Sequence, residues 1–188
     1  MKVLLVVDLQ LDFLPGGKLP IPNGDRVIEP IKAIAKKFRA NKNSFTNYCL
    51  VAFSRDWHDE NSMHFKTWPV HCVQYTAGAA FPDGLWNNDL VFSKGMYDDD
   101  YSATDGLAEP NQEDDFDDIF ASPKEATFYV AGLATDVCVK ATVLALLEKG
   151  FRTYVLTDCV AGLDKHDASL LEMQAAGATL IESTEVAV

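Results

Sequence analysis

The sequence predicts a three-layer α/β/α sandwich with a mostly parallel central sheet, an α/β fold. Short apolar runs alternate along the chain with segments of helical periodicity, and polar residues follow several of the runs directly. The runs are continuous in hydrophobicity, which is typical of parallel strands covered on both faces. With 188 residues, of which 48% are hydrophobic and 23% charged, the chain can bury a core. We therefore expect one domain over residues 1–188.

Composition excludes several classes of function. The net charge of −12 argues against binding to nucleic acid or to an anionic membrane surface. The chain enters a strand by Val3 with no signal peptide, and no apolar run approaches the length needed to cross a bilayer. The four cysteines show no CxxC spacing. We therefore expect a cytoplasmic protein with free thiols.

Six apolar runs predict the strands of the sheet. In chain order they are Lys2–Leu9, Phe45–Ser54, Leu90–Ser93, Ala126–Val130, Arg152–Leu156 and Ala178–Ile181, the last at an edge. The loop Thr157–Gly162 is expected to follow the fifth run, and Gly132 to break the fourth.

Helical periodicity predicts the covering layers. Helices are expected from Pro30, which suits a first helical position, from Asp136 to Lys149, and from Asp167 to Ala176. An acidic insertion at about 97–118 contains the clusters Asp98–Asp100 and Glu113–Asp118. Neither cluster has the ligand spacing of an EF-hand, so we expect solvated loop and helix-end residues, with a short helix anchored by Phe116, Ile119 and Phe120.

Polar side chains stand where predicted strands end. Asp8 ends the first strand, Asp56 and His58 follow the second, and Lys94 follows the third. Taken singly, Asp8 is most simply a turn residue and Lys94 a solvated charge. The carboxyl ends of parallel strands line one rim, however, so residues far apart in sequence can meet there.

Cys138 is predicted in the first turn of a helix that follows a strand. Thr135 or Asp136 can cap this helix, and Gly150 can close it. The positive end of the helix dipole and the free backbone N–H groups would favour the thiolate. The alternative is a small apolar residue packed beneath the sheet. The largely apolar helix after it permits either a homo-oligomer contact or ordinary burial.

A metal-binding loop is predicted at about 56–72. Three of the four histidines fall between residues 58 and 71, directly after a strand end. Imidazole and carboxylate ligands suit one divalent metal ion, which can be Zn²⁺, Fe²⁺ or Mn²⁺. The alternative is a polar surface loop rich in histidine. A base, a cation and a thiol beside such a loop together form a set suited to acyl transfer.

Five motifs resemble the nicotinamidase/pyrazinamidase group of the isochorismatase-like cysteine hydrolase superfamily, over essentially the whole chain. They are Val7–Gln10 with Asp12–Phe13, Asp56–His58, Trp68–Val73, Lys94–Gly95 with Tyr101–Ser102, and Gly132–Val139. The resemblance implies deamidation of nicotinamide, or of pyrazinamide-like aromatic carboxamides, to the acid and ammonia.

The resemblance also implies roles for individual residues. Cys138 would form a thioester with the substrate, Asp8 would act as base and then acid, and Lys94 would hold the polar network. Backbone N–H groups of Ala134 and Cys138 would form the oxyanion hole, next to a cis peptide between Leu133 and Ala134.

The same resemblance implies which residues bind the metal and which contact the substrate ring. Asp56, His58 and His71 would bind the metal, which would bind the pyridine nitrogen directly or through water. Many members carry a histidine where Ser62 stands here, and His64 is a candidate fourth ligand instead. Phe13 and Trp68 would sandwich the ring, with Leu19 and Tyr101 nearby.

Two alternatives stay open. A superfamily amidase acting on a carbamoyl or ureido substrate would typically lack the set Asp56, His58 and His71. A metal-binding or thiol redox protein without hydrolase activity should show a resolving cysteine near Cys138. None is near in sequence, although Cys159 could approach in space.

Overall fold

The computed structural model describes residues 1–42, 48–96, 100–110, 114–122 and 125–188. Its strands are β1 (Lys2–Val7), β2 (Cys49–Asp56), β3 (Leu90–Lys94), β4 (Leu107–Ala108), β5 (Thr127–Leu133), β6 (Arg152–Ala161) and β7 (Thr179–Ile181). Its helices are α1 (Ile28–Ala40), α2 (Phe116–Ile119), α3 (Lys140–Glu148) and α4 (His166–Ala175). Within the described ranges, no helix is both long and apolar enough to cross a membrane.

The seven strands form one sheet in the order β4-β3-β2-β1-β5-β6-β7. All neighbours run parallel except β3 and β4, which are antiparallel. The prediction of a mostly parallel α/β sheet is confirmed, with β7 at an edge as expected. The sequence did not indicate β4, because two residues are too few to show a period.

Two apolar clusters cover the two faces of the sheet. Along β1, Leu4 and Val6 belong to the cluster that contains the buried face of α1, whereas Val3 and Leu5 belong to the cluster that contains Val143 of α3. This alternation is the period of two of a strand. Because helices pack on both faces, β1 is buried along most of its length and its carboxyl end lies inside the molecule.

Several predicted boundaries are wrong. Helix α1 begins at Ile28 and not at Pro30, because a 3₁₀ turn at Gly24–Val27 leads directly into it. Strand β5 runs through Gly132, whose φ of +113° and close approach to the Val7 backbone leave no room for a side chain. The extended β5 supplies partners for β6 as far as Ala161. The segment from Thr157 is therefore strand and not loop.

The acidic insertion is only partly described. Asp98, Asp99 and Glu113 lie outside the described residues, as do residues 45–47 at the start of the predicted second strand. The short helix predicted near Phe116 is present as α2. Asp115 accepts a hydrogen bond from the N–H of Asp118 (2.9 Å), so it acts as the predicted helix-end residue.

Candidate active site

Four strand ends bring the predicted catalytic residues to one rim of the sheet. Asp8 follows β1 with a φ of +46°, Asp56 ends β2, Lys94 ends β3, and Cys138 follows β5. Each is at least 94% buried. The interpretation of Lys94 as a solvated charge is thus wrong, because neighbouring strands and helices cover its side chain. Asp8 does lie in a turn after β1, but its carboxylate is buried and contacts Lys94.

Lys94 stands at the centre of this group. Its Nζ lies 2.9 Å from Oδ2 of Asp8 and 3.5 Å from Sγ of Cys138, and it also donates to Oδ1 of Asp56. Burial alone would lower the pKa of Lys94, but the charges of Asp56 and Asp8 raise it well above its ordinary value. Lys94 is therefore a permanent cation shared by two carboxylates.

The environments of the two carboxylates differ. Burial raises the pKa of Asp8, as does the charge of Asp56, while Lys94 and a hydrogen bond from Ser54 Oγ (2.7 Å) only partly offset this. Burial would also raise the pKa of Asp56, but Lys94 and the two neighbouring histidines lower it well below its usual range. Asp8 can therefore take up and release a proton more readily than Asp56.

The Cys138 thiol is buried between these charges. Burial raises the pKa of Cys138 well above its ordinary value, Lys94 lowers it, and Asp8 and Asp56 raise it further. The thiol therefore needs a base to become a nucleophile, and Asp8 is in place for that task.

Three residues of the predicted metal loop come together around one point. Oδ2 of Asp56 lies 3.6 Å from Nε2 of His58 and 3.5 Å from Nε2 of His71. The ligand atoms of the three side chains all lie within 4.8 Å of one another. The three residues offer one oxygen and two nitrogen donors, a set that divalent zinc, iron and manganese accept.

The histidines are oriented as metal ligands usually are. Nδ1 of His58 bonds the carbonyl of Gly95 (2.9 Å), and Nδ1 of His71 bonds the carbonyl of Pro69 (2.7 Å). These bonds direct both Nε2 atoms towards Asp56. Nε2 of His58 is buried and hydrogen-bonds no residue that the structure describes. The arrangement therefore fits a divalent metal ion.

His64 lies beside the three candidate ligands. It is buried, its ring centroid is 4.5 Å from that of His58, and it sits in a 3₁₀ turn, Met63–Lys66. The hydroxyl of Ser62 caps this turn by accepting from the His64 N–H (3.3 Å). Ser62 thus helps to place His64 next to the group.

A pocket of about 350 Å³, including its open mouth, lies in front of Cys138. It is lined by Phe13, Leu19, Ile21, Asp56, His64, Trp68, His71, Tyr101, Ala134, Val137, Cys138 and Leu163. All four residues expected beside a substrate ring are therefore in one cavity with the thiol and three of the four predicted metal ligands. Trp68 Nε1 donates to the Tyr101 hydroxyl (3.1 Å), which joins two of these walls.

The turn that carries Cys138 differs from its prediction. Residues Thr135–Val139 form a π turn before α3, and neither Thr135 nor Asp136 caps the helix. The Asp136 carboxylate instead accepts from the backbone N–H groups of Leu163 (2.9 Å) and Lys165 (3.1 Å). The cis peptide between Leu133 and Ala134 is present, as the resemblance implied. Asp136 thus ties the nucleophile turn to the loop that forms the Leu163 wall.

Sequence reasoning missed several residues of the site. Ile21 and Leu163 come from loops whose position depends on tertiary packing, so no local pattern could indicate them. Ser54 was assigned to the end of the second predicted strand, where the period of two indicates a face of the sheet but no hydrogen-bond partner. Gln10 lay within a recognised motif, and its amide bonds to the backbone at both ends of Asp56.

Comparison with known proteins agrees with this geometry. A model of the isochorismatase domain matches residues 2–185. The nicotinamidase of Escherichia coli is 33% identical, over 95% of this chain and 93% of its own length. The nicotinamidase/pyrazinamidase of Mycobacterium tuberculosis is 31% identical, over 98% and 100% of the two chains.

A solved structure gives the same result in three dimensions. The pyrazinamidase of Pyrococcus horikoshii, determined in complex with zinc, superposes with a TM-score of 0.83 at 34% identity, covering 96% of this chain and 98% of that one. The domain match over nearly the whole sequence shows that the chain belongs to the isochorismatase family.

Proposed function

We propose that this protein is a nicotinamidase: a metal-dependent cysteine amidohydrolase that converts nicotinamide, and pyrazinamide-like aromatic carboxamides, to the acid and ammonia. One observation carries the proposal. The Cys138 thiol, in contact with Lys94, opens into the same aromatic-walled pocket as Asp56 and His71 of the metal group. The activities of the relatives from E. coli and M. tuberculosis support it.

The chemistry follows from the positions of Asp8 and Cys138. Asp8 takes the thiol proton as Sγ attacks the carboxamide carbon. Backbone N–H groups of Ala134 and Cys138 are the proposed donors to the resulting oxyanion. Asp8 then returns its proton to the nitrogen, the C–N bond breaks, and ammonia leaves a thioester on Cys138.

Hydrolysis of the thioester uses the same residues, with water as the nucleophile and sulfur as the leaving group. Asp8 takes a proton from water as the water oxygen attacks the thioester carbon. The C–S bond breaks, the proton passes from Asp8 to sulfur, and the acid product is released. Lys94 keeps its proton throughout, because two buried carboxylates raise its pKa. Its charge stabilises the thiolate formed in each half of the cycle.

The metal and ring sites are proposed on the same pocket. Asp56, His58 and His71 would hold the ion, with His64 as a fourth ligand and Zn²⁺ as the ion we favour. When bound, the ion supplies a Lewis-acid contact for the ring nitrogen. Phe13 and Trp68 would stack on the ring, and Leu19 and Tyr101 would close its edges.

The two alternatives have less support from the contacts. A carbamoyl or ureido amidase would typically lack the set Asp56, His58 and His71, which this chain brings together in one buried group. A thiol redox protein needs a second thiol near Cys138, whereas the other three cysteines, at 49, 72 and 159, all belong to the apolar cluster on the α1 side of the sheet. The four cysteines are all described, are buried and form no disulfide, which favours the cytoplasmic location that we propose.

The test is ammonia release from nicotinamide by the purified, reduced protein, before and after chelation, with metal content measured on the same sample. We expect activity to fall on chelation and to return with Zn²⁺. Cys138→Ala should abolish release while the bound metal and the unfolding midpoint stay unchanged. Release by Cys138→Ala at the wild-type rate would contradict the mechanism. No release by the metal-loaded wild type would point to a ureido or other amide substrate.

A further inference from the structure

Gln10 binds the backbone of Asp56 on both sides. Its Oε1 accepts from the Asp56 N–H (2.8 Å), and its Nε2 donates to the Asp56 carbonyl (2.8 Å) and to the carbonyl of Ala79 (3.0 Å). The side chain is fully buried. All these polar groups are inaccessible to solvent, so water cannot replace the amide if it is removed.

The topology explains why a side chain is needed at this point. Asp56 is the last residue of β2, where Trp57 N–H donates to the Lys94 carbonyl of β3 (2.9 Å). On the other side β1 has already ended at Val7, and its last backbone bond to β2 runs from Asp8 N–H to the Ser54 carbonyl (3.2 Å). The Gln10 amide therefore takes the place of the missing β1 backbone beside Asp56.

The carboxylate of Asp56 joins the two halves of the site. One oxygen accepts from Lys94, and the other faces Nε2 of His58 and His71. A rotation or shift of the Asp56 backbone would thus displace both an ion-pair partner of Lys94 and a proposed metal ligand. Gln10 also follows Asp8 closely, with a bond from its N–H to the Asp8 carbonyl (2.9 Å).

We propose that Gln10 is a positioning residue that fixes Asp56 for metal binding, holding it in register with Asp8 and Lys94. The inference rests on the proposed metal site and assigns Gln10 no contact with substrate. Removal of groups that orient metal ligands typically costs about 10–100-fold in metal affinity. We expect Gln10→Met, which keeps the volume and loses all three side-chain bonds, to weaken Zn²⁺ binding by that factor.

The experiment measures the Zn²⁺ dissociation constant of the full-length protein by competition with a chromophoric chelator. Gln74→Met is the matched control, because Gln74 Nε2 donates to the neighbouring Trp57 carbonyl (2.9 Å) from a partly exposed position. We expect the control to change the dissociation constant by less than about threefold, since water can replace a single partly exposed bond. With Zn²⁺ held saturating, Gln10→Met should regain most of its kcat for ammonia release.

Each outcome bears on a different claim. If the wild type binds Zn²⁺ and Gln10→Met binds it equally well, the inference is overturned while the proposed function stands, even if the unfolding midpoint falls. If the wild type binds no divalent metal, the proposed metal site fails and the inference fails with it. If Gln10→Met does not fold, the same measurement is made on Gln10→Asn. The Asn amide is one methylene too short to span the N–H and the carbonyl of Asp56, so we expect the same loss of Zn²⁺ affinity.

Discussion

A methyl group at Gly95 should damage the metal site directly. Gly95 has a φ of +67°, and a Cβ there would lie 2.6 Å from Cε1 and 2.8 Å from Nδ1 of His58. The ring would have to retreat by about 0.8 Å to reach an ordinary contact of 3.4 Å. Metal–ligand distances tolerate only about 0.2 Å, so Gly95→Ala should weaken Zn²⁺ binding at least about tenfold.

The stability cost can be separated from this local effect. The left-handed backbone conformation costs a non-glycine residue about 1–2 kcal/mol, and overpacking adds about 1–3 kcal/mol. Gly84 is a matched control, because its φ is +70° and nothing lies within 4 Å of an added Cβ. We therefore expect a loss of about 1–2 kcal/mol in unfolding free energy for Gly84→Ala and of about 2–5 kcal/mol for Gly95→Ala.

The assay combines denaturant unfolding of the metal-free variants with the Zn²⁺ dissociation constant and ammonia release. Gly84→Ala should bind Zn²⁺ and release ammonia like the wild type. The reasoning would be refuted if Gly95→Ala bound Zn²⁺ as tightly as Gly84→Ala and lost no more unfolding free energy. That result would mean that the loop moves aside and that the close approach of Gly95 does not orient His58.

Two further predictions follow from charges. Lys94→Met leaves Asp8 and Asp56 buried without their shared cation, so denaturant unfolding should show a loss of about 3–5 kcal/mol. Lys140→Met, which breaks a partly exposed pair with Glu172 (3.1 Å), should cost less than about 1 kcal/mol, and an equal loss in both variants would contradict the reasoning. Burial, followed by the charge of Asp158, raises the pKa of Cys159 from 9.0 to about 12. The folded state therefore keeps the Cys159 thiol protonated. The contribution of this thiol to the free energy of unfolding is fully present below pH 9 and is lost as the pH rises from 9 to 12. Between pH 8 and 10 the wild type should lose about 1 kcal/mol more unfolding free energy than Cys159→Ala, and parallel pH profiles would contradict this.

The sequence predicted which residues meet but not what surrounds them. Asp8, Lys94 and Cys138 could be assigned to one rim because parallel strands present their carboxyl ends together. The burial of Lys94 could not be predicted, since it depends on the residues that strands and helices distant in sequence place over it. Gly132 was misread for a related reason. A glycine within an apolar run normally indicates that the strand ends. Only the close approach of the Val7 backbone shows that this strand continues and requires a glycine at residue 132.

Asp8 and Asp56 show how a common partner can serve two functions. Both are buried aspartates in contact with Lys94. Residue type, burial and the neighbouring cation are therefore the same for both and cannot explain why their functions differ. The difference lies in the remaining neighbours. His58 and His71 face Asp56 and stabilise its anion, so its pKa is low, whereas Asp8 accepts a hydrogen bond from Ser54, faces no histidine among these and has a raised pKa. When their environments move the pKa values of two carboxyl groups apart, one group can carry a proton while the other stays charged. This supports Asp8 as the base and acid at Cys138 and Asp56 as the permanent anion that a divalent metal requires.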